Sequence, residues 1–411
     1  MQLRIRFAEL MLRVGILAMG GPEWIAGVHY IHSLLYGNCL LPITEQASLS
    51  VYLDFAEHRT SDYRDVRAFA AAVHVTEFCS PPSRRFYYNL RSVAGIALRE
   101  LRWPGFPTLD LAHSLSKNDT DVLFAGHLLQ PNPGIPQIAW IPDFQHVHRP
   151  DFFSPEERRS RDQYFARIMA EADRVLLSDP FSYEDAARLY PQSRHKLVVL
   201  PCTMYLGRNW RSADPGQVVA KYGLPKKFLL FPSQFWKHKN HRTVFEAIRL
   251  LRTRGFDDVV LVCTGFLHDP RFPNYATELR EFIPANQLEA TIRILGLISR
   301  DDQVQLMRAA AAIVQPSFFE GWSALVEESW SMGKTIFASD IPMHRAQLHD
   351  GMHLFPPTSV EALADLLAQH WPDLRPGPDV ELEAGAETQY RLRIREFARQ
   401  FSNLCRSLVR S

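Results

Sequence analysis

The chain has 411 residues, 46% hydrophobic and 22% charged, with a formal net charge of +1. This is the profile of an ordinary globular protein of two or three domains, and it excludes an overall field that would draw the chain to nucleic acid. No run of about 18 apolar residues predicts a membrane-spanning helix, and five widely spaced cysteines with no CxxC pair fit a reducing cytoplasm.

In chain order, charges at Arg4, Arg6, Glu9 and Arg13 argue against a signal peptide. The run Arg13–Met19 reads as a first strand stopping at Gly20-Gly21, with a helix from about Ile25 to Leu35 after it. Further strands are predicted at Ser50–Phe55, Asp121–Ala125, Gln137–Ile141, Arg174–Ser178 and Lys196–Leu200. Helices fall between them at Phe86–Arg102, Pro155–Ala172 and Tyr183–Tyr190. A second series has strands at Phe228–Phe231, Val259–Cys263, Ile292–Leu295, Ala312–Gln315 and Thr335–Ala338. Its helices begin near His241, Tyr275, Asp301, Ser323 and Met343, with Ser299 as an N-cap. Tyr390–Val409 reads as a final amphipathic helix.

Short apolar strands alternating with helices imply parallel sheets covered on both faces. The expected fold is therefore α/β, with two doubly wound, Rossmann-like domains at 1–205 and 206–375 facing each other across a cleft. A C-terminal helical segment at 376–411 is expected to pack back on the first domain. Ligands of such folds bind beyond the carboxyl ends of the strands, so the cleft is the expected site.

Within Ser317–Gly333 (SFFEGWSALVEESWSMG), Glu320 precedes a helix start and Glu328 follows eight positions later. Gly321 permits a tight turn, and the free amides of about Ser323, Ala324 and Leu325 form an anion site. Lys239 ends a Lys-His-Lys run just after the first strand of the second series.

This Glu-x7-Glu arrangement resembles the signature of family 4 glycosyltransferases, which have the GT-B fold. The resemblance implies that Glu320 contacts the donor sugar, Glu328 binds the ribose, and Lys239 with the Ser323, Ala324 and Leu325 amides holds the diphosphate. Gln234 stands where the family usually has arginine. Gly296 and Leu297 resemble the base-contacting loop, and Gly27 the loop that closes on the phosphate. In the stretch where members usually place His-Asp at the sugar, Pro142 takes the histidine position, Asp143 remains, and His146 is nearby. His127 is a further candidate, and the family's glutamate after Ser339–Arg345 is replaced by Ala346.

The implied function is retaining transfer of a sugar from a nucleoside-diphosphate sugar to a hydroxyl of a glycan or lipid-linked acceptor, in polysaccharide or cell-surface glycan synthesis. No cofactor and no metal are expected. Asp119-Thr-Asp121 matches a DxD metal pattern but precedes a strand, at the end opposite the cleft. A sugar-nucleotide epimerase on the same fold and a non-catalytic nucleotide-binding paralogue are the alternatives, because fold does not fix function. The stretch 84–103 interleaves Arg84, Arg85, Arg91, Arg99 and Arg102 with aromatic and aliphatic residues. It reads either as a surface helix or as a peripheral contact with the cytoplasmic face of a membrane.

Overall fold

A computed structural model describes residues 11–20, 25–54, 65–76, 111–126, 134–208 and 210–409. The stretch 84–103, with the helix predicted there, and His127 lie outside the described residues.

Two parallel sheets organise the chain. The first contains β1 (Arg13–Leu17), β2 (Ser48–Asp54), β3 (Ala72–Thr76), β4 (Val122–Ala125), β5 (Gln137–Ile141), β6 (Arg174–Leu177) and β7 (Leu197–Val199). The second contains β8 (Leu229–Pro232), β9 (Leu261–Thr264), β10 (Ile292–Gly296), β11 (Ala312–Gln315), β12 (Ile336–Ser339) and β13 (Met352–Phe355). Their orders are β3-β2-β1-β4-β5-β6-β7 and β10-β9-β8-β11-β12-β13. Each order reverses beside its first strand, at β1/β4 and at β8/β11, the position where doubly wound sheets open a crevice.

The inner strands are legible because both their faces are covered. Every residue of β4, β5, β8, β9, β11 and β12 is buried. Edge strands β3 and β13 escape the pattern because they are only half-buried and carry His74 and His353 among their apolar residues. Helix starts follow local chemistry. Ser154 and Glu157 form a capping box with Pro155 in the first turn, and Ser299 accepts from the Asp302 amide.

The final helix runs Val380–Val409, ten residues longer at its start than predicted. Those added turns are mostly exposed and carry no apolar stripe. Their buried residue Glu383 is held instead by Arg308, whose Nε and Nη2 donate to its two oxygens at 2.9 and 3.0 Å. Further along, Tyr390 and Ile394 join the core of the second sheet, and Phe397, Phe401 and Cys405 join that of the first. A Cβ on Gly37 would lie 2.4 Å from the Ile394 carbonyl oxygen, so this helix and Ile25–Cys39 cross backbone to backbone. Among the described residues no helix is long and apolar enough to cross a membrane.

Candidate active site

The carboxyl ends of both sheets line one cleft of about 1260 Å³, above the range of roughly 300–1,000 Å³ usual for small-ligand pockets. The first sheet brings Met19 and Gly20 after β1, Gly126 after β4, and Pro142 and Asp143 after β5. The second brings Gln234 after β8, Gly265 after β9, Leu297 after β10 and Glu320 after β11.

Lys239 and Glu320 meet at the centre. The lysine Nζ donates to both carboxylate oxygens, at 2.8 and 2.9 Å, and Gln315 donates to one of them at 2.7 Å. Both side chains are largely buried, at 15% and 9% exposure. The loops that carry them are tied together. Asn240 adopts a left-handed conformation (φ 62°), which asparagine tolerates, and its side chain donates to the carbonyls of Pro316 and Pro357. The Phe318 amide donates to the His238 carbonyl at 2.8 Å.

Glu328 is buried in the helix Ala324–Ser331 and accepts from Arg300 at 2.6 Å. Arg300 also donates to the Tyr205 carbonyl at 3.2 Å, in the segment joining the two sheets. Sequence reasoning passed over Arg300, although a signal was there. A cation in the first turn of a helix opposes the helix dipole, so it needs a local anion to justify it.

The helix start differs from expectation at one amide. Ser323 is fully buried, its backbone N–H donates to Gln347 at 3.1 Å, and its hydroxyl caps Val326. That amide is already spent, which removes Ser323 from the anion site. The amides of Ala324 and Leu325 have no acceptor within their own helix, and both residues line the cleft. Gln234 also lines it, with its side-chain oxygen taken by the Phe266 amide at 2.7 Å, so its NH2 group is what remains to offer. Gly296 makes a turn at φ 73° and accepts from Gly265, while Leu297 is exposed at the cleft.

On the opposite wall, Asp143 lines the cleft and accepts from the Gln145 amide at 2.9 Å. A Cβ on Gly321 would sit 2.6 Å from the Pro142 carbonyl oxygen, and the Trp322 indole donates to the Cys202 carbonyl at 2.8 Å. The two domains therefore touch directly beside Glu320. His146 is a correction. It is packed against Phe144, Phe153 and Phe165, bonds Asp162 at 3.1 Å, and is not among the cleft residues. Burial lowers its pKa against the opposing pull of Asp162. Gly27 packs against the turn after β1, where a Cβ would lie 2.7 Å from the Met19 carbonyl oxygen.

Sequence reasoning missed His29 and His32, three residues apart on the helix Ile25–Cys39, which both line the cleft. Burial pushes the His29 imidazole well below its ordinary pKa, and Arg300 and then His32 add to the push. Their spacing on one helical face after a glycine turn was the available signal. Asp119 and Asp121 are both engaged by Arg13, at the far end of β1 and β4 from the cleft. Among the described residues no group of three His, Cys, Asp or Glu side chains is placed to hold a metal ion.

Residues 219–373 match the family model described as glycosyl transferases group 1. The O-antigen chain mannosyltransferase B of Escherichia coli is 24% identical over 229 residues, covering 54% of this chain and 58% of that protein. The D-inositol 3-phosphate glycosyltransferase of Pseudarthrobacter chlorophenolicus is 23% identical over 265 residues, 64% of this chain and 56% of its own. The chain thus spans a little over half the length of these curated relatives. The crystal structure of Anabaena HepE in complex with UDP and glucose superposes with a TM-score of 0.66 at 15% identity, covering 96% of this chain and all (100%) of that one. The chain has the two-domain GT-B fold, and its second domain carries the match to glycosyl transferases group 1.

Proposed function

We propose that this protein is a retaining glycosyltransferase of family 4 type, moving a sugar from a nucleoside-diphosphate sugar to a hydroxyl of a glycan or lipid-linked acceptor. The observation that carries the reading is the Lys239–Glu320 pair, held at the carboxyl ends of β8 and β11 beside the free amides of Ala324 and Leu325.

Lys239 and Glu320 satisfy each other in the structure. Donor binding separates their tasks. Lys239 turns to the diphosphate, together with the Ala324 and Leu325 amides and the Gln234 NH2 group, while Glu320 accepts from sugar hydroxyls. Glu328, oriented by Arg300, accepts from the ribose, and the base lies by Gly296 and Leu297. Charge develops on the diphosphate as the sugar departs, and preorganised donors stabilise it there without reorganising. Lys239 and the amides supply the positive charge, which is why the reading requires no metal. Retention follows if the acceptor hydroxyl attacks from the face the diphosphate leaves and gives its proton to that departing diphosphate, with Asp143 on the sugar side of the cleft. The names of the O-antigen chain mannosyltransferase and of the complex with UDP and glucose support a nucleotide-sugar donor and a glycan acceptor.

The test is a transfer assay across nucleoside-diphosphate sugars and acceptors, comparing the wild type with Lys239→Ala. Loss of transfer in the variant is expected. Undiminished transfer would remove Lys239 from the mechanism, and epimerisation of donor alone would replace the transferase reading.

A further inference from the structure

Beside the Lys239–Glu320 pair, two arginines from different domains face the cleft with unspent donors. Arg161 lies on the helix Pro155–Glu171 of the first domain, and Arg271 follows β9 in the second. Both line the cleft, and both guanidinium carbons lie over one ring, that of Phe153, at 4.8 and 4.6 Å from its centroid. A guanidinium carries five N–H donors. Neither of these two makes a side-chain hydrogen bond among the described residues. Their nearest carboxylates stand off, Asp143 at 3.8 Å from Arg161 and Asp269 at 3.7 Å from Arg271.

The surrounding carboxylates are occupied by backbone. Asp143 accepts from the Gln145 amide, and Asp269 from the amides of Lys237 and Arg271. Glu157, the other acidic neighbour of Arg271, closes the capping box on the Ser154 amide. The acceptors are used and the donors are not. Arg271 is only 16% exposed and lines the cleft, where its N–H groups are left to water or to a ligand acceptor. Two guanidinium groups brought together across a cleft suit a compact oxyanion that each holds by charge-assisted bonds.

We infer that Arg161 and Arg271 form an oxyanion subsite for the acceptor, which carries a phosphate or carboxylate group. The inference rests on the transferase reading for the word acceptor, but the anion site itself does not. Because the pair spans both domains, an acceptor held there also closes the cleft around the sugar.

The test is binding by the full chain of glucose 6-phosphate, glucuronate and glucose, each measured by calorimetry with and without UDP or GDP. A parallel arm measures co-sedimentation with phosphatidylinositol against phosphatidylcholine vesicles, to separate a soluble anionic acceptor from a lipid head group. Preference for the anionic sugars, or for the anionic vesicles, of about tenfold or more is expected. Arg161→Gln and Arg271→Gln should each abolish that preference, with the affinity for UDP or GDP unchanged. Retention of nucleotide affinity also shows that each variant is folded. Equal binding of charged and neutral probes in both arms, or a preference that survives both substitutions, overturns the inference and leaves the transferase reading intact. Anion preference without any nucleotide binding supports the subsite and sinks the transferase reading.

Discussion

On the second-domain wall of the cleft, the central charges are already paired: Lys239 bonds Glu320, and Arg300 bonds Glu328. On the first-domain wall, the lining includes His29, Trp140, Tyr164 and Phe165, with Arg161 making no side-chain hydrogen bond among the described residues. Central ions that already satisfy one another preorganise that part of the wall for one ligand chemistry, because a charged ligand can trade places with an existing partner at little cost in reorganisation. A wall of rings, with the His29 imidazole held neutral by burial, leaves recognition to shape and to a few donors. The contrast assigns the constant half of a substrate, the nucleotide, to the second wall and the variable half to the first.

The largest expected effect breaks the second wall. Arg300→Met leaves the Glu328 carboxylate buried and unpaired, and removing one partner of such a pair costs at the low end of about 3–5 kcal/mol, since Arg300 is partly exposed. Chemical denaturation should show that loss, and a change under about 0.5 kcal/mol would mean the pair is not formed in solution. Next, Lys239→Ala should lower kcat by about a hundredfold, the low end of the scale for losing one donor aimed at developing charge. The KM of the acceptor should hardly move, whereas a selective rise in it would shift Lys239 to the other wall.

A smaller effect is one of pH. His241, stacked between Phe231 and Phe235, is pushed down to a pKa of about 3 by burial, and His238 and His344 are pushed down for the same first reason. Their folded values lie below the unfolded value of roughly 6.5, so the unfolded chain binds more protons as pH falls. Their contribution is present above about pH 6.5 and is lost progressively below it. Tm should therefore drop between pH 7.5 and 5.5, and His241→Phe should flatten that dependence. The smallest effect sharpens the first wall. His146→Asn should leave transfer within about twofold of wild type, because the ring faces Asp162 and the aromatic packing rather than the cleft. A loss of a hundredfold would return His146 to the chemistry.

The second wall was readable in the sequence because its chemistry is local. Glu320, Gly321, the helix start and Glu328 fall within nine consecutive residues, and Lys239 lies in the short loop between β8 and the helix that starts at His241. What was not readable depends on partners far along the chain. Nothing near Ser323 reveals that Gln347 occupies its amide, and nothing near Glu328 names Arg300. His146 and His148 lie in one short helix, Gln145–His148, where a histidine two places along points elsewhere. There, His148 stacks on Phe319 of the opposite domain while His146 turns inward. Sheet order was implied by alternation, but edge strands β3 and β13 carried too little apolar surface to announce themselves.

The helix Val380–Val409 sends Tyr390 and Ile394 into one hydrophobic core and Phe397, Phe401 and Cys405 into the other. The two domains consequently share a component that neither can release alone. Unravelling either core strips Tyr390 or Phe401 from the same rod, and the loss is transmitted along its backbone hydrogen bonds. Calorimetry of the intact chain should accordingly show one endotherm, where a pair of thermodynamically independent domains would give two.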